Sequence, residues 1–441
     1  MLIILVLNKG EKMKITNLSL VAIAAMTLTT GAMADVDMKI GGQTVVYYQT
    51  NDAGNNDMFS EGASSANVGI QLNANADIGN GYGLGFQGTA LNTVGLEGNL
   101  VDGVRQSGLG NDGDTANAAD YFAFTKAYLT KKLGNTQLKL GRQELPKSLS
   151  PLAFSEGWNV YKNTFDAAVA INTDIEDTTI VGAYVSRSNK HGNLNNFTGL
   201  LGTAEQTITP AVAGTPAHAD LATGVVTPGT PSVSANTQNR GAYMLTVQNK
   251  SVAGLTPTLS YYQLPSSAKA IWLDVNANLG TLADLPVNVA LQGGQIMLNG
   301  AGADSKAVGL KVSGKAGPAK VSLAYSKTNN GAVATHNLGT GVKTPLYTQM
   351  VANQGDIKDG AEGTVLKVVM PAGPGKIIAQ YGMMKDNINK SSDVQELDLM
   401  YKFKALGADM FGALVMNSAD DKVYNGDDSR NIIRLWTRYN F

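Results

Sequence analysis

The chain of 441 residues has no cysteine, only three histidines, and few charged side chains: 16%, against roughly 25% in soluble domains. Without cysteine there is no disulfide scaffold, thiolate metal centre, iron–sulfur cluster or cysteine nucleophile. His191, His218 and His336 each sit in Gly-, Asn- or Ala-rich sequence, which leaves little material for a zinc enzyme. The formal net charge is −1, so no basic field exists to attract nucleic acid. After the N-terminal region no segment reaches the ~18 consecutive apolar residues of a membrane helix. What is plentiful is glycine, 50 residues, well above the usual share of about 7%. These absences argue against most enzymes, and no metal or cofactor is expected.

The N-terminus has the three parts of an export signal. Met13-Lys14-Ile15-Thr16-Asn17 is a short basic start, Leu18 to Leu28 is mostly apolar, and Ala32-Met33-Ala34 is a small-residue cleavage site. The apolar stretch is too short for the ~20 residues of a membrane anchor. Residues 1–34 are expected to be removed, with residues 1–12 an upstream extension. Removal takes away Lys9, Lys12, Lys14 and Glu11, and leaves 31 basic and 34 acidic residues in the mature chain 35–441.

From Asp35 onward apolar residues recur at every second position. In Val68 to Ile78 one face is Val68, Ile70, Leu72, Ala74, Ala76 and Ile78; the other is Gly69, Gln71, Asn73, Asn75 and Asp77. That is the period of a strand with one apolar and one polar face. Similar segments predict eighteen strands near 36–50, 65–79, 82–94, 120–133, 136–144, 163–172, 178–188, 238–249 and 256–264, then 267–279, 285–298, 304–314, 319–328, 361–370, 376–385, 393–404, 408–417 and 430–441. A short connection follows every even strand, most of them with Gly or Asn turn chemistry. Longer connections, 51–64, 95–119, 145–162, 189–237, 329–360 and 418–429, follow most odd ones; 265–266, 299–303 and 386–392 are the short exceptions.

Short turns at one end and long loops at the other are the layout of an outer-membrane β-barrel. The expected fold is all-β: a transmembrane antiparallel β-barrel of about eighteen strands, with short periplasmic turns and long extracellular loops. Closure has a physical cause, since an unpaired backbone N–H or C=O in hydrocarbon costs several kcal/mol and a sheet there must have no edge. With so many strands the lumen is too wide for side chains to fill, and it should hold water. Tyr47, Tyr82, Tyr261, Tyr401 and Tyr439 suit interfacial girdles, some with the alternative of pointing inward, and Trp436 shares the face of Arg434 and Arg438. The last residues, Ile433 to Phe441, resemble the terminal strand of bacterial outer-membrane barrels, whose final aromatic residue is read by the barrel assembly machinery.

Other motifs carry less. Gly83-Leu84-Gly85-Phe86-Gln87-Gly88 fits G-x-G-x-x-G, but it lies inside a predicted strand with no following helix, so it is no dinucleotide site. Gly317-Pro318-Ala319-Lys320 and Gly373-Pro374-Gly375-Lys376 read as one turn chemistry used twice. The acidic clusters Asn111-Asp112-Gly113-Asp114, Asp420-Asp421 and Asp427-Asp428 lack EF-hand spacing and read as solvated turns, with Ca²⁺ the alternative. Segment 189–237, rich in Thr, Ala, Gly, Pro and Asn, reads as a long surface loop. His191 beside Ser188 is the one faint trace of a phospholipase-like barrel.

The most informative stretch is Gly141-Arg142-Gln143-Glu144, then Trp158 and Lys162-Asn163-Thr164-Phe165-Asp166. Gly141-Arg142-Gln143 and Asn163-Thr164-Phe165 resemble the strand end and strand start of the Opr-type specific porins and the related major outer membrane proteins of the campylobacter-like group. The resemblance implies an eighteen-stranded barrel, commonly a homotrimer, whose loop after the fifth strand folds inward to narrow the pore. Loop 145–162 holds that place here. Glu156 and Lys162 would then sit opposite wall residues Arg142, Arg187, Arg434 and Arg438 across a constriction that also includes Glu144 and Asp166, and bias which ions pass. Parity favours Arg434 and Arg438; Arg142 and Arg187 share parity with apolar neighbours and need a bulge to re-aim them. The expected function is a porin in the Gram-negative outer membrane that passes small hydrophilic solutes and ions passively. Its surroundings are outer-membrane lipid, and it carries out no enzymatic chemistry. The alternative is a structural or adhesive barrel with little conductance.

Overall fold

The structure is a computed structural model that describes residues 37–107 except 97, 121–198 except 191, 218–219, 226–227, and 241–441 except 266, 301, 359 and 388–392. The export signal, the cluster at 111–114, His191 and most of segment 189–237 lie outside the described residues.

The barrel strands are β1 (Asp37–Asn51), β2 (Ser64–Gly79), β3 (Tyr82–Asn92), β4 (Tyr121–Leu133), β5 (Thr136–Gln143) and β6 (Phe165–Asn172). Then come β7 (Thr178–Lys190), β8 (Ala242–Asn249), β9 (Leu255–Leu264), β10 (Ala268–Asn278), β11 (Val287–Leu298) and β12 (Ser305–Ala316). The series ends with β13 (Ala319–Thr328), β14 (Ala361–Ala372), β15 (Gly375–Asp386), β16 (Val394–Ala405), β17 (Ala408–Ala419) and β18 (Ser429–Asn440). Each pairs antiparallel with its neighbours in sequence. β18 returns to β1 from Gln43↔Asn440 to Asn51↔Ile432, so the cylinder closes and no edge is left. The sheet counts nineteen strands, because the short strand Asn193–Thr198 extends from β7. The sequence pattern places strand limits within a residue or two of these, apart from the start of β8.

Alternation sorts the side chains. Ile40, Val46, Ile70, Leu140, Leu291, Val308, Leu310 and Leu323 face outward and are exposed, which on this scale marks a surface meant for lipid. Their inward neighbours are polar: Gln71 Nε2 donates to Thr89 Oγ1 at 2.9 Å, Thr125 Oγ1 to Gln87 Oε1 at 2.8 Å, and Gln87 Nε2 to Asn73 Oδ1 at 2.7 Å. Placing arginine at Leu310, mid-strand on the outward face, is expected to cost about 2–4 kcal/mol. Urea unfolding of the protein in lipid vesicles checks this; an unchanged midpoint would show that the face does not meet lipid.

The turns follow their residues. Asn80 and Gly81 both adopt positive φ, +52° and +75°, the two-residue hairpin geometry. The G-x-G-x-x-G segment lies within β3, where Gly85 leaves room for the Tyr128 ring to cross it. Both Gly-Pro turns open strands, β13 and β15, and each sends its lysine inward. Tyr82, Tyr261 and Tyr439 are exposed on the outer face. Tyr47 corrects the girdle expectation: it is buried inside, stacked with Trp436, whose ring lies 4.1 Å from that of Phe411.

Candidate functional site: a lumen crossed by loops

Three loops from the long-loop end pack against the inner wall. Loop 144–164, after β5, sets Leu145, Leu152 and Ala153 against Phe165 and Val169 of β6, Val181 and Val185 of β7 and Tyr262 of β9. Loop 329–360, between β13 and β14, adds Leu338, Leu346, Met350 and Ile357 to the same cluster. Loop 93–107 is clasped by Asn67, which accepts from the Arg105 and Gln106 amides at 2.9 and 3.0 Å. Gln106 in turn donates to Tyr161 O at 2.9 Å and accepts from its amide at 2.8 Å.

Glu156 joins the first two loops. It is 3% exposed, and its carboxylate accepts from Trp158 Nε1 at 2.7 Å, Asn337 Nδ2 at 2.9 Å, the Lys343 amide at 3.1 Å and the Thr340 hydroxyl. Leu338 N to Leu152 O, 2.7 Å, adds a backbone bond between the loops. The far end of loop 329–360 is tied to β16: Ala352 N donates to Glu396 Oε1 at 2.9 Å and Val351 N to Asp398 Oδ2 at 3.3 Å. Lys343 closes that turn by donating to Met350 O, Val351 O and Gln354 Oε1 at 3.0–3.1 Å.

Burial, with Arg434 nearby, pushes the Lys343 ammonium down to about 7. Burial, with Glu396 nearby, pushes the Asp356 carboxyl up to about 6. A lysine lowered on docking stabilises the docked loop above its free value, and that contribution is lost as pH falls through about 7. A carboxyl raised on docking stabilises it below its free value, and that contribution is lost as pH rises through about 6. Loop 329–360 is therefore held least firmly between about pH 6 and 7. Open-channel current noise is expected to peak in that window; noise that does not change with pH would refute the docking account.

The residues named from sequence divide into two groups. Glu144 faces the lumen and pairs with Lys126 at 2.5 Å and Lys162 at 2.8 Å. Arg438 Nη2 donates to Val160 O at 2.9 Å, and Arg434 Nε donates to Gln49 Oε1 at 3.0 Å. With Glu156, these five gather around loop 144–164. Arg142, Asp166 and Arg187 do not join them. They form one cross-strand row on the outward face, Arg142↔Asp166↔Arg187, in line with Ala127 and the exposed Phe86. Asp166 accepts from Arg142 at 2.8 Å and from Arg187 at 2.7 Å. Arg142 keeps the outward parity of Leu138 and Leu140 on an unbroken β4–β5–β6 register, whereas Arg187 owes its place to the register shift between β6 and β7 beside Asp166. The bulge turns Arg187 outward, while Phe165 and Ala167 on either side of Asp166 pack inward.

Sequence reasoning missed a row of lysines on the inner wall. Lys311, Lys320, Lys367, Lys376 and Lys402 lie on β12–β16, within one another's fields, and Asp398 and Asp274 are the acids near them. Asp274 accepts from Trp272 Nε1 at 2.9 Å and Tyr347 Oη at 3.3 Å, and Lys311 lies 4.2 Å from the Tyr347 ring. Parity was readable for Lys311 and Lys320, which alternate with Gly, Ser and Ala, but less so for Lys367, Lys376 and Lys402, whose same-face neighbours include Val365, Val369, Ile378 and Met400. No group of metal-ligating side chains occurs among the described residues.

No family model matches the chain, and no curated protein matches it in sequence. Solved structures do. OccK9 (OpdG) of Pseudomonas aeruginosa superposes with a TM-score of 0.69 at 14% identity, covering 93% of this chain and 99% of that one. OccK8 (OprE) of the same organism gives 0.68 at 15%, covering 92% and 98%. OpdK, solved with vanillate, gives 0.67 at 12%, covering 92% and 98%. The chain therefore has the eighteen-stranded fold of the Occ/Opd outer-membrane porins. These neighbours carry the Opr-type part of the resemblance and not the campylobacter-like subgroup.

Proposed function

We propose that the chain is a passive porin of the Gram-negative outer membrane, exported by its N-terminal signal, that passes small hydrophilic solutes and ions. One observation carries the reading: a closed cylinder, apolar outside and polar inside, whose lumen is crossed by packed loops instead of being filled by wall side chains. Loops 145–162 and 329–360 narrow the channel together, and Glu144, Lys162 and Arg438 line the constriction, with Arg434 buried beside the Trp158 ring. The wall lysines Lys311, Lys367 and Lys402 outnumber the acids near them and favour anions; the vanillate with which OpdK was solved, a small carboxylate, is consistent with that sign. Assembly as a homotrimer, and recognition of the terminal Phe441 by the barrel assembly machinery, belong to the proposal on the strength of the sequence resemblances alone.

Planar-bilayer recording in a salt gradient tests this. Discrete steps with an anion-selective reversal potential are expected, and Lys367→Glu with Lys402→Glu should shift that potential toward cations. Absence of steps would return the protein to the structural or adhesive reading.

A further inference from the structure

One charged row interrupts the apolar outer face. Arg142, Asp166 and Arg187 lie side by side across β5, β6 and β7, each partly exposed. Arg142 donates to Asp166 through Nε at 2.8 Å and Nη2 at 3.3 Å, and Arg187 donates to it through Nε at 2.7 Å. Two guanidiniums share one carboxylate, so the row is cationic among the described residues. Apolar side chains would meet hydrocarbon at lower cost, and the row is therefore placed where something other than hydrocarbon meets it.

Its height on the cylinder says what that is. Arg142 is the next-to-last residue of β5 and Asp166 the second of β6, so the row stands at the long-loop end. An arginine on a lipid-facing strand is costly at mid-membrane and nearly free of cost at the interface. Aromatic side chains mark that interface. Tyr184 and Tyr243 pair on the outer face with ring centroids 5.2 Å apart, and Phe124 is exposed beside the row, its carbonyl accepting from Arg142 Nη1 at 3.2 Å. Tyr184 is in register with Ala168, two residues from Asp166, which sets the tyrosines about 7 Å below the row. Toward the short turns the same face is apolar, with Leu140, Leu138 and Leu245 exposed. Cationic donors, an aromatic step and an apolar track thus follow one another in the order of an anionic lipid's headgroup, interface and chains. Guanidiniums bind phosphate oxygens through paired, charge-assisted hydrogen bonds, and basic side chains at a membrane surface attract anionic headgroups.

We propose that Arg142 and Arg187 hold the phosphate of a lipid headgroup in the outer leaflet, with its acyl chains lying along Leu140 and Leu138. Asp166 sets the spacing of the two guanidiniums. The site rests on the outer-membrane placement of the barrel but not on conduction, because it faces away from the lumen.

Diphosphoryl lipid A, titrated into the purified protein in detergent and counted by native mass spectrometry, is the probe. The wild type should retain it about ten-fold more tightly than lipid A stripped of its phosphates, the worth of one charge-assisted hydrogen bond or more. That preference should weaken in Arg187→Gln, which leaves the Arg142–Asp166 pair to hold the strands, and vanish when Arg142→Gln is added. Arg142→Lys with Arg187→Lys, which keeps the charge, should keep part of it. Migration of cold and heated samples on gels verifies that each variant has folded. Equal retention of the two lipids by the wild type, a preference undiminished in both glutamine variants, or competition by inorganic phosphate at the concentration of the lipid would overturn the proposal. Loss of oligomers instead of lipid in the glutamine variants would give the row to a second copy of the chain and overturn it as well. Planar-bilayer recording of the wild type keeps the two readings apart: steps without the phosphate preference fail this site alone, and the preference without steps fails only the porin reading.

Discussion

Replacing Glu156 with alanine is expected to raise single-channel conductance while leaving the barrel folded. The carboxylate accepts hydrogen bonds from the Trp158 indole, the Asn337 amide, the Thr340 hydroxyl and the Lys343 backbone. All but the first come from the opposing loop. Removing it orphans donors in a junction that excludes water, each at about 1–3 kcal/mol. It also removes the carboxylate bonded to the Trp158 indole, the ring that Arg105, Lys343 and Arg434 surround. The strands depend on none of these bonds, so the loss falls on loops 144–164 and 329–360, which should separate and widen the passage. Glu156→Gln keeps the volume but not the charge and should fall between. Recordings on the two variants check the order; conductance equal to wild type in Glu156→Ala would mean that the loops do not set the aperture.

The second large effect is expected at the barrel seam. Gly42 exchanges backbone hydrogen bonds with the terminal residue, Gly42 N to Phe441 O at 2.8 Å and Phe441 N to Gly42 O at 3.0 Å. A Cβ on Gly42 would strike Gln71 O and lie 2.7 Å from the Phe441 ring. Valine there cannot be absorbed by a side-chain rotation, because one obstacle is backbone. The strain would open the pairing of β1 with β18, and each edge group then left unpaired in lipid costs several kcal/mol. Gly42→Val should therefore fail to reach the compact form that migrates fast on cold denaturing gels. Gly62→Ala, with nothing within 4 Å of its Cβ, should assemble normally. Normal migration of Gly42→Val would show that the seam tolerates bulk.

The same loops show where sequence reading stops. Loop 145–162 could be singled out because its flanking motifs resemble a known layout. Loop 329–360 reads as one more long connection, although Leu338, Leu346, Met350 and Ile357 give it more apolar weight than a solvated loop needs. Glu156 is legible as a charge on an inward loop, but not as the acceptor that joins two loops, because its partners lie about 180 residues away. Arg142 follows the parity of Leu138 and Leu140 to the outward face, whereas Arg187 depends on a bulge, and a single irregular residue reverses the face of everything beyond it. Parity assigned Arg434 and Arg438 correctly to the inner face because β18 runs without a bulge.

By itself the sequence determined the strands, their number and their two faces. Alternation is a local property, set by a backbone whose side chains must point to opposite sides. Turn chemistry is equally local, so hairpin order and the end that carries the long loops followed from it. Only the tertiary structure decided what crosses the lumen and which charges meet there. Those contacts join residues far apart in the chain, and their geometry is fixed by closure of the cylinder and by packing of loops inside it. No period in the sequence encodes either.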